Sequence, residues 1–229
     1  MSTDNFQSGK PADRAAGRER PLRIPGGMFI VFEGIDGTGK STQVRLLADK
    51  LRQLGYVVVA TREPTEGPYG QKIRKLFVNR QTVTKNEELE LFIADRNLHV
   101  NEVISPALAE GCVVISDRYY LSTVAYQGAN GMDQDLILQK NEDFPVPDLA
   151  IILEIDPVQG IHRIQNQRNE HPNSFEDEAN LQKVAKIFGA MEQNFIKRIN
   201  GSGTIEEVHN KIFEEVKSLL ARKNIESMV

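Results

Sequence analysis

The stretch Phe29–Gln43 reads FIVFEGIDGTGKSTQ. An apolar run meets glycines, then a lysine and two hydroxyl residues. Gly34-Ile35-Asp36-Gly37-Thr38-Gly39-Lys40-Ser41 fits the pattern G-x-x-x-x-G-K-[ST]. The run before it reads as a strand, and the residues after it open a helical pattern. Glycines let such a loop turn tightly and aim its amides inward, and the helix start adds its positive end. The stretch Gly34–Thr42 therefore predicts a cradle for a nucleoside triphosphate. Lys40 reaches the outer phosphates, and Ser41 offers its hydroxyl to a magnesium ion.

Three further apolar runs share the character of the first: YVVVAT from Tyr56, CVVIS from Cys112 and LAIILEI from Leu149. They are rich in Val and Ile and do not alternate cleanly, as in strands covered on both faces of a parallel sheet. A short fifth strand is expected near Phe195 to Ile199. Between the runs lie helical spacings. They are Val44, Leu47, Leu51 and Leu54; Leu89, Phe92, Arg96, Val100 and Val103; and Ile205, Val208, Ile212, Val216 and Leu219. Strands alternating with helices predict a three-layer α/β P-loop fold, a parallel five-stranded sheet flanked by helices.

The 229 residues suit one large domain, and a net charge of -4 does not favour binding of a nucleic-acid polymer. The single cysteine, Cys112, excludes an internal disulfide framework and reads as buried filler. No apolar run reaches the ~18 residues that a membrane span needs, and the first residues lack the apolar core of a secretory signal. A cytoplasmic setting is expected. Residues 1–27 are polar and read as a disordered arm before a domain over 28–229. A polar stretch at about 163–178, RIQNQRNEHPNSFEDE, reads as a mobile lid. The four histidines show no metal-ligand spacing.

Parallel sheets bind ligands beyond the carboxyl ends of their strands. TREP, from Thr61, follows the second apolar run, so Arg62 is placed to hold an anion. Asp117 and Arg118 follow the third, where an aspartate near a phosphate loop serves magnesium or its waters.

With these stretches in view, the chain resembles the thymidylate kinase family of P-loop enzymes. FEGIDGTGKSTQ, TREP, LFIADR from Leu91 and SDRYYLSTVAYQG from Ser116 carry the likeness, in the family's order and spacing, over about Met28 to Leu220. The resemblance implies phosphoryl transfer from ATP to dTMP. It implies that Lys40, Arg62 and Arg118 act on the phosphates, Arg62 and Arg118 at the acceptor. Phe92 then stacks on the base and Arg96 bonds a base carbonyl. Ser122 and Thr123 lie against the base, Tyr126 lies under the sugar, and Gln127 is adjacent. Asp36 approaches the 3′-hydroxyl. It further implies a homodimer packed through the helix at 87–110.

Three departures accompany the likeness. TEGPYG, from Thr65, replaces the family's glycine pair and threonine, near the acceptor phosphate. With a plain glycine at position 37, the family carries catalytic arginines in the lid. Arg163 and Arg168 are the candidates, because Asn173-Ser174 stand where an Asp-Arg pair is customary. The stretch GAMEQNFIKRINGSGTIEEV, from Gly189, is short for the last strand and the adenine side. The alternatives left open are a kinase of another deoxynucleoside monophosphate and a weakly catalytic nucleotide-binding regulator.

Overall fold

A computed structural model describes residues 21–76, 83–168 and 178–226. The chain runs β1 (Met28–Glu33), α1 (Lys40–Gln53), β2 (Val58–Arg62), α2 (Pro68–Leu76) and α3 (Lys85–His99). A π-helical turn (Val100–Ile104) and α4 (Ser105–Ala109) prolong α3. Then follow β3 (Val113–Asp117), α5 (Tyr120–Ala129), α6 (Gln134–Gln139), β4 (Leu149–Glu154), α7 (Pro157–Arg168), α8 (Glu178–Ala190), β5 (Ile196–Asn200) and α9 (Ile205–Glu226).

The strands form one parallel sheet in the order β2-β3-β1-β4-β5. In β1 alternate residues serve opposite faces. Phe29 and Val31 join a core with Leu89, Ile104, Leu121, Val184 and Phe188 from α3, the π turn, α5 and α8. Met28, Ile30 and Phe32 join a second core with Leu47 and Leu51 of α1 and Ile212 and Val216 of α9. Burying each such side chain contributes roughly 1.5–3 kcal/mol, so packing rather than propensity fixes these helices. Glu33 ends β1 on the Phe29 face and is carried by the strand into the interior, 0% exposed. Thr84 and Glu87 start α3 with reciprocal capping bonds.

The sheet matches the expected fold, with three adjustments. The edge strand β2 begins at Val58, and its residues are partly buried or, at Ala60 and Arg62, exposed. Tyr56 instead makes an isolated parallel bridge to Leu22. The chain is also packed before Met28. Ile24 is 2% exposed in the α1–α9 core, and its amide donates to the Gly111 carbonyl at 2.8 Å. Finally, Arg163, taken as the first lid residue, lies inside α7, which continues to Arg168. Residues 169–177, most of the expected lid, lie outside the described residues, as does most of the expected arm.

Candidate active site

The carboxyl edge of the sheet opens into a cavity of about 490 Å3. One wall is the phosphate loop, which contributes Asp36, Gly37, Thr38, Gly39, Lys40, Ser41 and Thr42. Gly34 and Ile35 do not line it; their carbonyls accept from the Lys40 ammonium at 3.1 and 2.8 Å. Burial, then the Arg118 charge, lowers the Lys40 pKa to about 8, against the pull of Asp36, Asp117 and Glu33. Gly37, at φ 79°, has no room for a side chain: a Cβ there would stand 2.2 Å from the Gly160 carbonyl oxygen of α7.

Arg118 follows β3 and holds a left-handed backbone, φ 75°. For an arginine this is a strained conformation of the kind found at functional sites. It turns the guanidinium inward. Nη2 donates to Asp36 Oδ1 at 2.6 Å, and Nη1 donates to Ser122 Oγ at 3.0 Å and to the Gly34 carbonyl at 3.2 Å. The guanidinium lies over the Tyr126 ring at 5.1 Å, and the Tyr126 hydroxyl donates to Asp36 Oδ2 at 2.6 Å. Burial alone would raise the Asp36 carboxyl. The Arg118 and Lys40 charges, with the Tyr126 and Arg118 hydrogen bonds, outweigh it and hold the pKa at about 2.

Beneath this cluster sits Glu33. One carboxylate oxygen accepts from the Tyr119 amide at 3.0 Å, and the other accepts from the Ser122 hydroxyl. Burial raises its pKa to about 7, although the Ser122 hydrogen bond and the Arg118 and Arg96 charges oppose the rise.

The opposite wall comes from β2, α3 and α5: Arg62, Phe92, Arg96, Ser122, Thr123, Tyr126 and Gln127. Every residue that the resemblance assigns to the acceptor therefore borders this one cavity. Their states differ. Arg96 is 1% exposed and bonded to Glu63, Thr123 and Asn141. Arg62 is exposed and paired with Glu66 of the TEGPYG loop. Glu66 also accepts from Arg74 at 2.7 Å. Gln127 donates to Glu88 at 2.8 Å. At the other end of the cavity lie Gly201, Gly203, Ile205 and Val208, with Arg163 donating to the Gly201 carbonyl at 3.1 Å. Arg168 closes α7, and the expectation for its side chain lies outside the described residues.

The Ser41 hydroxyl donates to Asp117, so two oxygen groups stand together beside the phosphate loop. Hard oxygen donors suit magnesium, which binds through one or two carboxylates and substrate phosphates rather than an all-protein cage. Among the described residues, no group of three or more His, Cys, Asp or Glu is placed to hold a metal ion.

Sequence reasoning missed Glu33, Glu63, Arg74 and Asn141. An acid closing the apolar run MFIVFE was a usable sign for Glu33. A second was the glutamate beside Arg62 in TREP. Nothing local marks Arg74 or Asn141, which the fold delivers from α2 and the turn after α6.

A glycine-rich loop between a central strand and a helix, facing a second group of cations across one cavity, defines a P-loop phosphotransferase. A profile of the thymidylate kinase family matches residues 32–212. The chain is 52% identical to a thymidylate kinase of Desulfotalea psychrophila over 194 residues, 85% of this chain and 96% of that one. It is 41% identical to one of Xanthomonas campestris pv. campestris over 197 residues, 86% of each chain. With one of Xanthomonas euvesicatoria pv. vesicatoria it shares 45% over 168 residues, 73% of this chain and 74% of the other. The chain belongs to the thymidylate kinase family, and is an ATP-dependent nucleoside monophosphate kinase.

Proposed function

We infer that the family's reaction, transfer of the γ-phosphoryl group of ATP to dTMP, runs in this cavity. The observation that carries the reading is the meeting, in one enclosure, of the phosphate loop with Arg62, Arg74, Arg96 and Arg118. Lys40 holds the outer phosphates of ATP. Arg62 and Arg118, joined by Arg74, hold the acceptor phosphate. The base lies between Phe92 and the Arg96, Ser122, Thr123 and Gln127 side, with Tyr126 and Asp36 against the sugar. Gly201, Gly203, Ile205 and Val208 border the adenine end. Arg163 serves there, and Arg168 brings lid charge to the transferring group.

A magnesium ion held by Ser41 and Asp117 would neutralise phosphate charge. An acceptor phosphate oxygen forms the new P–O bond as the bond to the leaving ADP oxygen breaks. That oxygen is already a nucleophile, so no general base is required, and positioning and charge neutralisation carry the rate.

A homodimer and a cytoplasmic setting belong to the same reading. Support for the dimer is the family likeness, together with partly exposed Leu91, Leu98 and Val103 and the incompletely covered β2. Among the described residues, no helix is long and apolar enough to cross a membrane.

The test is a coupled assay with ATP, magnesium and dTMP, dUMP, dCMP or dGMP. Fastest turnover with dTMP is expected. Faster turnover of another acceptor would make the chain a kinase of that nucleotide. Nucleotide binding without turnover of any acceptor would make it a regulator.

A further inference from the structure

Beside the acceptor end of the cavity lies the most deeply buried ionic cluster among the described residues. Arg96 is 1% exposed, His99 3% and Glu63 6%. Arg96 donates from Nε and Nη2 to Glu63 Oε2, at 3.0 and 2.6 Å. Nη2 also donates to Thr123 Oγ1 at 3.0 Å, and Nη1 donates to Asn141 Oδ1 at 2.7 Å. Asn141 is itself tied to the Ile137 carbonyl at 2.7 Å. A guanidinium has five N–H donors. Four are spent here, which leaves one on Nη1.

A single spare donor reads one acceptor on a ligand only if the guanidinium cannot turn. Glu63 must therefore be fixed as well. Its second oxygen, Oε1, faces His99 Nδ1 at 3.0 Å. A carboxylate oxygen only accepts, so Nδ1 carries the proton. His99 Nε2 lies 2.7 Å from the Thr61 hydroxyl, in hydrogen-bond contact. His99 is the sole donor to Glu63 Oε1 among the described contacts. Thr61 lies in β2 beside Arg62, so the chain of bonds is rooted in the strand that carries an acceptor-phosphate arginine.

Neither Thr61 nor His99 borders the substrate cavity; both line a second cavity of about 640 Å3 that adjoins it, sharing Ser41, Arg62 and Asp117. His99 also stands where α3 passes into the π turn, a helix form that recurs at functional positions. Arg96 and His99, three residues apart, share the face turned to Glu63.

We propose that His99, held by Thr61, is a positioning residue for recognition of the acceptor base: through Glu63 it locks Arg96 so that one N–H is kept for a single carbonyl of a pyrimidine. Thymine offers a carbonyl where cytosine carries an amino group, so a locked donor favours the first and opposes the second. Without His99, Glu63 Oε1 is left buried without a donor, and the carboxylate rotates and takes the guanidinium with it. The proposal rests on the placement of Arg96 at the base.

The test uses the full chain at saturating ATP and compares kcat/KM for dTMP and dCMP in His99→Phe, His99→Asn, Thr61→Val and Arg96→Ala. His99→Phe is expected to lower the dTMP/dCMP ratio about tenfold, and Thr61→Val roughly threefold, with KM for ATP within about twofold of wild type. In His99→Asn the side-chain amide can stand at the Nδ1 position and should recover most of the ratio. Equal losses on both acceptors, or an unchanged ratio, in His99→Phe and Thr61→Val would overturn the proposal while Arg96→Ala still collapses the ratio. An unchanged ratio in Arg96→Ala would instead overturn the placement of Arg96 itself. If His99→Phe does not fold, Thr61→Val decides, because it removes one hydroxyl and keeps the shape of the side chain.

Discussion

Replacing Glu33 by glutamine tests the electrostatics of the site through stability alone. The carboxyl titrates at about 7 in the folded chain, against 4.5 for an ordinary glutamate. At about 1.4 kcal/mol for each tenfold in proton affinity, the rise corresponds to about 3 kcal/mol. The folded state binds the proton more tightly, so this group's contribution to stability is fully present below pH 4.5 and is lost as pH rises through about 7. Glutamine imitates the neutral acid. Its carbonyl can accept from the Tyr119 amide, and its amino group can donate to Ser122 Oγ, the two partners that Glu33 has now. One amide N–H is left over, at about 1 kcal/mol. Glu33→Gln should therefore be near neutral at pH 5 and more stable than wild type by about 2 kcal/mol at pH 8, a rise in Tm of roughly 4–8 °C for a chain of this size. Urea unfolding of both proteins from pH 5 to pH 8 measures it. Groups common to both proteins cancel in the difference. A difference that stays flat across that range would refute the reasoning.

Lys40→Ala should lower kcat by about 10²–10³-fold with an unchanged far-UV spectrum, since a preorganised charge is lost at the transferring group; a variant keeping half its rate would remove Lys40 from catalysis. Glu66→Gln should lower KM for dTMP by about two- to threefold, because Arg62 and Arg74 are freed from an exposed carboxylate. Steady-state kinetics check it, and a raised KM would show that the ion pair organises the loop instead. Tyr126→Phe should lower kcat/KM for dTMP by roughly three- to tenfold through loss of the bond to Asp36, while the ring under Arg118 keeps discrimination against the ribose analogue. Kinetics with both sugars decide, and lost discrimination would transfer that role to the hydroxyl.

Much of the layout was legible because local rules govern it. Continuous Val/Ile runs marked four strands, and the spacing of Val208, Ile212, Val216 and Leu219 marked the buried face of α9. The phosphate loop was readable because its glycines, lysine and hydroxyl are adjacent in sequence. What escaped depends on distant partners. Glu63 could be marked only as the acid beside Arg62; what it does was hidden, since Arg96 and His99 lie 33 and 36 residues away. The packing of Ile24 was hidden because it stands at the end of a polar stretch that reads as one arm. The left-handed turn at Arg118 was hidden because arginine does not advertise a positive φ. Arg62 was placed as an anion holder without its competitor Glu66, four residues on, because the turn that joins them is held by a distant residue, Asp95, through Thr65.

The contact between Gly37 and Gly160 also constrains how this sequence can change over time. Any residue larger than glycine at position 37 meets the backbone of α7 at 2.2 Å, and a Cβ at Gly160 would meet the Asp36 carbonyl at 2.8 Å. Neither position can acquire a side chain first. A lineage could therefore not add a second cation at position 37 by that substitution alone; α7 would have to retreat in the same step. Two missing side chains act here as a ratchet, each position obliging the other to stay bare.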